Sequence, residues 1–207
     1  LINASDDYKC STDWYDITGS SNCDGYSNES LCYALWNKEL IPTLTDKTWT
    51  AEYQKIFYAN TVLEKVDKVS GLTDEERVQI KREARFIRAY SMWYLAQIYC
   101  LPYVDGNGDK QGIVLKTSTH FDESVKRASL KDTYDFIEAD LNEALKIETP
   151  LKKIGSTNKY NSVRANKAAV NGFAARYYLY LNDYENALKY ADIALQSHDE
   201  LVDYNTE

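Results

Sequence analysis

The sequence predicts an all-α protein: helical hairpins joined by long irregular loops. Three observations predict it. Residues 81–104 begin as a mixed charged and apolar helix and then turn apolar on every side, through Phe86, Ile87, Ala89, Tyr90, Met92, Trp93, Tyr94, Leu95, Ile98 and Tyr99. A helix that is apolar all round is normally a buried one, so the others should pack around it. Segments before and after it repeat apolar residues at three- and four-residue steps. Start and stop residues of helices stand at the ends of those segments.

Taken in order, residues 1–47 are loop-rich and lack helical periodicity. Gly19, Ser20, Ser21 and Asn22, then Asp24 and Gly25, are turn signals, and Tyr8, Trp14, Tyr15, Tyr26, Tyr33 and Trp36 are scattered among them. A short helix is expected over about 29–40, ended by Pro42. Residues 49–69 form the first clear helix, with Tyr53, Ile56, Phe57, Asn60, Leu63 and Asp67 recurring along one face. Asn60 is the odd member. A buried asparagine needs partners, so it should bond a nearby backbone group, with ligand contact as the alternative.

Gly71 breaks the chain. Thr73 and Glu76 then form a capping box, and the acidic first turn suits the positive end of the helix dipole. The short link predicts an antiparallel hairpin. Pro102 stops the central helix, because proline lacks the N–H and biases its predecessor away from helix. Arg85 and Arg88 sit where burial begins. They need carboxylate partners, and Asp140 or Glu83 is expected for Arg88.

Residues 104–126 are a long connection. Asp105, Asn107 and Asp109 look like the opening of a calcium loop, but Lys110 stands where glycine is wanted and Lys116 where a bidentate glutamate is wanted. A plain glycine-rich turn is expected instead. Ser129 with Asp132 opens the next helix, whose apolar stripe is Tyr134, Ile137, Leu141, Ala144 and Leu145, with Asp140 close beside it. Pro150 and Gly155 end that region. A second hairpin is expected from 164–181 and 184–196, with Asp183 as N-cap. Ala165, Ala168, Ala169, Gly172, Ala175, Ala187, Ala191 and Ala194 offer places for close helix approach.

Length and charge narrow the function. The 207 residues favour a single domain over 1–207, and 44% hydrophobic content is enough for a core. A net charge of -8 argues against nucleic acid, which wants a clustered basic surface. No run of about 18 apolar residues exists to cross a membrane as a helix, and no signal peptide is visible. The 4 cysteines have no CxxC spacing, which argues against a zinc knuckle. A Cys10–Cys23 disulfide and free thiols both stay open for the N-terminal cysteines, with Cys32 the third, and Cys100 reads as a packing residue. His120 and His198 lack metal-ligand spacing and read as surface residues. No phosphate loop, dinucleotide fingerprint or nucleophile elbow occurs, and no pair of carboxylates is singled out for glycoside hydrolysis. The reading is a binding protein, not an enzyme, without metal or cofactor. Aromatic content is 13%, mostly the 18 tyrosines, whose flat rings with one polar handle suit binding faces.

The pattern Glu83-Ala84-x-Phe86-x-Arg88-Ala89-Tyr90, running through Leu95 and Tyr99 to Pro102, resembles the signature helix of the SusD/RagB family. That helix usually ends in a Tyr-Gly-Asp-x-Pro-Leu-like turn. Here the turn is Tyr99-Cys100-Leu101-Pro102-Tyr103, shorter and without the glycine and aspartate. Trp49-x-x-x-Tyr53-x-x-Ile56-x-x-Ala59-Asn60 resembles the family's preceding helix, and Tyr134-x-x-Ile137-x-x-Asp140-Leu141-x-x-Ala144 its following one. Residues 164–191 resemble its tetratricopeptide-like hairpin. The resemblance covers residues 49–204, with four segments in the expected order. It implies a nutrient-binding outer-membrane lipoprotein of the Bacteroidetes, facing outward, that captures glycans for a SusC-like TonB-dependent transporter. The family's lipidated N-terminal cysteine and long C-terminal region are not in this sequence, so it reads as the N-terminal helical part.

Sugars bind through hydrogen bonds and through ring faces stacked on aromatics. Trp14, Tyr15, Tyr33 and Trp36, with Asn37 as a polar neighbour, are the candidate ligand residues. The competing expectation is that the tryptophans pin the loop to the core. Trp49, Tyr53, Asn60, Glu83, Arg88 and Asp140 are the candidate structural residues. Two other functions compete: a tetratricopeptide-like scaffold that docks a protein, and a peptide-binding member of the same family.

Overall fold

The computed structural model describes residues 47–120, 122–151 and 164–200. The helix expected over 29–40, the candidates Trp14, Tyr15, Tyr33, Trp36 and Asn37, and Cys10, Cys23 and Cys32 lie outside the described residues. From Thr48 onward the described residues belong to one compact unit. It is all-α. Helix α1 (Lys47–Lys65) runs into a short 3-10 turn (Val66–Lys68), then come α2 (Asp74–Tyr99), α3 (Leu130–Ala144), α4 (Lys167–Tyr180) and α5 (Tyr184–Ser197). Among the described residues the only extended pairing is one antiparallel bridge, Gln111 to Ser129.

The helix ends follow local chemistry. At α2 the Glu76 N–H donates to Thr73 Oγ1 at 3.2 Å, and the Thr73 N–H donates to the Glu76 carboxylate at 2.8 Å, completing the capping box. Ser129 caps α3 and Asp183 caps α5. The start of α4 is three residues later than expected. Asn166 captures the Ala169 N–H at 3.0 Å, so the helix begins at Lys167 rather than at Arg164. Asn182 at the α4–α5 turn has φ 60, a left-handed conformation that asparagine tolerates better than most residues.

Helices α1 and α2 form the antiparallel hairpin. Arg77 donates to the Val66 carbonyl at 2.6 Å, Lys81 pairs with Asp67 at 2.7 Å, and Trp49 meets the Tyr99 ring edge-on at 4.9 Å. Helix α3 packs along α2, and α4 and α5 form the second hairpin. The core holds Ile56, Met92, Leu95, Ile113, Leu130, Ile137, Leu141, Val170 and Tyr177. Each large aliphatic removed from water there contributes about 1.5–3 kcal/mol.

Two expectations need correction. The central helix is not buried all round: Ile87 is 45% and Tyr90 38% exposed. Its neighbours cover the sides of Arg88, Met92 and Leu95, leaving those two residues on an outer edge. Gly172 is not a close-approach point, since a side chain there would meet open space. The tight contact is Gly112, where a Cβ would fall 2.1 Å from Thr133 Oγ1 and 2.5 Å from the Ser129 carbonyl. Tyrosines also serve the core, as the place of Tyr134 on the apolar stripe of α3 implies. Tyr134 and Tyr177 are fully buried, and Tyr134 stacks on Tyr103 at 4.4 Å and on Tyr180 at 6.1 Å. Burial pushes the Tyr134 and Tyr177 hydroxyls far above the ordinary tyrosine range.

Among the described residues no helix is long and apolar enough to cross a membrane. Among them, too, no group of His, Cys, Asp or Glu is placed to hold a metal ion. Asp105 to Asp109 make turns, with Gly106 at φ 86.

Candidate functional site

A concave site lies along α1. Trp49, Tyr53 and Phe57 recur at four-residue steps, so their rings fall on one stripe of the helix. Asn60 continues the stripe. The facing wall is the connection after α2: Val114, Lys116, Ser118, Thr119, His120 and Val125. Together they enclose a cleft of ≈ 500 Å³ with mostly apolar walls. Trp49 and Tyr53 lie 4.8 Å apart at 46°, forming a bent aromatic floor, and Phe57 is 42% exposed.

Four side chains fasten the loop. The Tyr53 hydroxyl donates to the Val114 carbonyl at 2.8 Å and accepts from the Val114 N–H at 3.0 Å. Burial pushes that hydroxyl up to about 12, so it stays protonated. Asn60 Nδ2 donates to the carbonyls of Lys116 at 3.1 Å and Ser118 at 3.2 Å. Glu64 accepts from the Thr119 N–H at 2.9 Å and hydroxyl at 2.7 Å, and these bonds hold its carboxyl below the usual range. From the loop itself, Glu123 accepts from the Thr117 N–H and hydroxyl and the Ser118 N–H. Burial works against the Glu123 charge, but those bonds outweigh it and the carboxyl is also held low.

Behind the cleft stands a buried ion pair. Arg88 grips Asp140 with two bonds, Nε to Oδ2 at 2.6 Å and Nη2 to Oδ1 at 2.9 Å. Such a fork is among the stronger polar contacts available to a protein. Arg85 adds a third bond to Asp140 at 2.9 Å, and Arg88 lies 4.9 Å from the Phe136 ring centre. Arg88 Nη1 then donates to Asn60 Oδ1 at 2.7 Å. Of the two carboxylates expected for Arg88, Asp140 is the partner. Glu83 instead accepts two bonds from Arg164, at 3.0 and 2.9 Å.

Of the six candidate structural residues, Trp49, Tyr53 and Asn60 line the cleft, while Arg88 and Asp140 sit in the core behind it and Glu83 stands apart. The loop side was not anticipated. His120, read as a surface residue, is exposed and lines the cleft; His198 is half-buried. The signal available was the polar run Thr117-Ser118-Thr119-His120 between apolar stretches. Cys100 packs at the edge of the core, and its sulfur accepts from Arg127 at 3.4 Å. The arrangement suits a ligand with flat apolar faces and polar edges. Rings lie on the floor, and Lys116, Ser118, Thr119 and His120 are at the rim.

Comparison with known proteins places this architecture. The profile of the SusD-like family, described as starch-binding and associating with the outer membrane, matches residues 4–179. A SusD-like protein of Formosa agariphila is 29% identical over 72 residues, covering 35% of this chain and 14% of that protein. A SusD-like carbohydrate-binding protein of Bacteroides vulgatus has TM-score 0.62 and 25% identity, over 76% of this chain and 32% of its own. A SusD superfamily protein of Bacteroides fragilis gives 0.62 and 26%, over 75% and 38%. A laminarin-binding SusD-like protein shares the fold at TM-score 0.60 and 20% identity, over 81% and 33%. The chain therefore spans about a third of the length of these solved relatives. With the profile matching most of its length, the chain belongs to the SusD-like family.

Proposed function

We propose that the protein captures glycans at the cell surface, without catalysis, for import through a SusC-like TonB-dependent transporter. In this reading it is an outward-facing lipoprotein of the outer membrane. The observation that carries the proposal is the family match over residues 4–179. The aromatic floor of Trp49, Tyr53 and Phe57 supports it, because a pyranose presents C–H faces to aromatic rings and hydroxyls to a polar rim. Laminarin, the ligand of one structural relative, makes β-glucan oligosaccharides the first to try. Trp14, Tyr15, Tyr33, Trp36 and Asn37 are proposed as further ligand contacts from their pattern in the sequence.

Isothermal titration with laminari- and malto-oligosaccharides tests the proposal. Weak binding is expected, with a dissociation constant of roughly millimolar order, about 4 kcal/mol. Trp49→Ala should weaken it about tenfold or more while the helical circular dichroism is kept. No heat with any neutral or acidic oligosaccharide would contradict glycan capture. A second reading has its own support. Leu179, Tyr184, Leu188 and Leu195 are exposed along the α4–α5 hairpin, which suits a tetratricopeptide-like scaffold that docks a protein. Binding of a peptide pool in place of sugars would favour that reading or the peptide-binding RagB-type one.

A further inference from the structure

The side chains of α1 take hold of the cleft loop in register. Tyr53 holds Val114, Asn60 holds Lys116 and Ser118, and Glu64 holds Thr119. Asn60 differs from the other two because it also joins the buried ion pair. It is 1% exposed, and all its amide hydrogen-bonding groups are engaged. Its orientation is unambiguous: a guanidinium can only donate, so the amide oxygen faces Arg88 and the amide nitrogen faces the two carbonyls. Those carbonyls are two residues apart. Thr117 between them turns its N–H and hydroxyl to Glu123 instead. The loop is thus pinned with Lys116 and Ser118 pointing their carbonyls inward.

We infer that Asn60 is the positioning residue of the cleft, coupling the Arg88–Asp140 pair to the 116–120 loop so that the polar rim is already in place when ligand arrives. The inference rests on the cleft being the glycan site. A preorganised loop spares the ligand the entropy of ordering it, so affinity depends on Asn60 although that side chain is buried. The Arg85, Arg88 and Asp140 cluster carries two positive charges and one negative. Asn60→Asp would supply the missing charge and still accept from Arg88, but it would set a carboxylate against two carbonyls. It should free the loop and spare the core.

Amide hydrogen exchange of the free chain, followed by oligosaccharide titration, tests this with Asn60→Asp and with Trp49→Ala as reference. In Asn60→Asp, exchange across 116–120 should quicken roughly tenfold, as the loss of two hydrogen bonds implies, while α2 and α3 stay close to wild type. Affinity for the oligosaccharide that binds wild type should fall by about the same factor. Unchanged exchange at 116–120, or equal acceleration throughout α2 and α3, would overturn the inference. If Asn60→Asp does not fold, Asn60→Ser carries the same expectations, since its hydroxyl is too short to span both carbonyls. If Trp49→Ala leaves binding intact while Asn60→Asp still loosens the loop, the cleft reading fails and the positioning role stands.

Discussion

The two hairpins of this molecule are built on different principles. Beside the Trp49–Tyr99 ring contact, the α1–α2 pair is tied by polar reach: Arg77 to the Val66 carbonyl, Lys81 to Asp67, and Arg88 to Asn60. The α4–α5 pair is tied by contact. Ala174 of α4 and Ala187 of α5 are buried, and Tyr178 stacks on Tyr190 at 5.4 Å. Close packing needs only shape, and a change in it is felt locally. A hydrogen-bonded core has direction, and here it continues outward through Asn60 into the loop that walls the cleft. The first hairpin therefore shapes the cleft, while the second supplies a frame.

The largest test of that contrast is Arg88→Ala. It strands the buried Asp140, which keeps only the half-exposed Arg85, and should cost about 3–5 kcal/mol. Thermal denaturation should show a fall on the order of 10 °C for a chain of this size. An unchanged melting temperature would remove the ion pair from the account. Ala187→Leu comes next. Overpacking the second hairpin should cost about 1–3 kcal/mol by urea titration. It should leave glycan affinity untouched, and a loss of affinity would blur the distinction between site and frame. Removing the α5 cap with Asp183→Ala should cost about 1 kcal/mol, again with binding intact.

The smallest effect concerns pH. Glu64 and Glu123 both have carboxyls held below their ordinary values by loop hydrogen bonds. A carboxyl depressed in the folded state adds stability that is present above the ordinary glutamate value and is lost as pH falls through the depressed one. Amide exchange at 116–120 should therefore quicken on acidification before the core does. Glu64→Gln should flatten that pH response, and an unaltered profile would show that Glu64 does not hold the loop.

Much of the frame could be read from the chain alone because its signals are local. A capping box needs only Thr73 and Glu76, three residues apart, and the stripes of α1 and α3 need only periodicity. Asp140 was legible too, as a carboxylate beside an apolar stripe with two arginines in search of a partner. The start of α4 was misjudged because Asn166, a good N-cap, stood within a segment that already had helical spacing. The part-exposed edge at Ile87 and Tyr90 was hidden for a different reason. An all-apolar helix says what needs cover, but not how completely its neighbours cover it. The loop half of the cleft was the least legible part. The groups that Asn60 grasps are main-chain carbonyls more than 50 positions away in sequence, and no side-chain identity marks them.

The glycan site proposed along α1 turns on Trp49, and one measurement addresses it. The chain has 4 tryptophans, Trp14, Trp36, Trp49 and Trp93, so isotope labelling of tryptophan gives four indole reporters. Trp93 is 4% exposed in the core and serves as the internal standard. On titration with laminari- or malto-oligosaccharides, the Trp49 indole resonance should shift in a saturable way while Trp93 holds still. A saturable shift at Trp14 or Trp36 with Trp49 unmoved, or no shift at any of the four, would contradict a glycan site along α1.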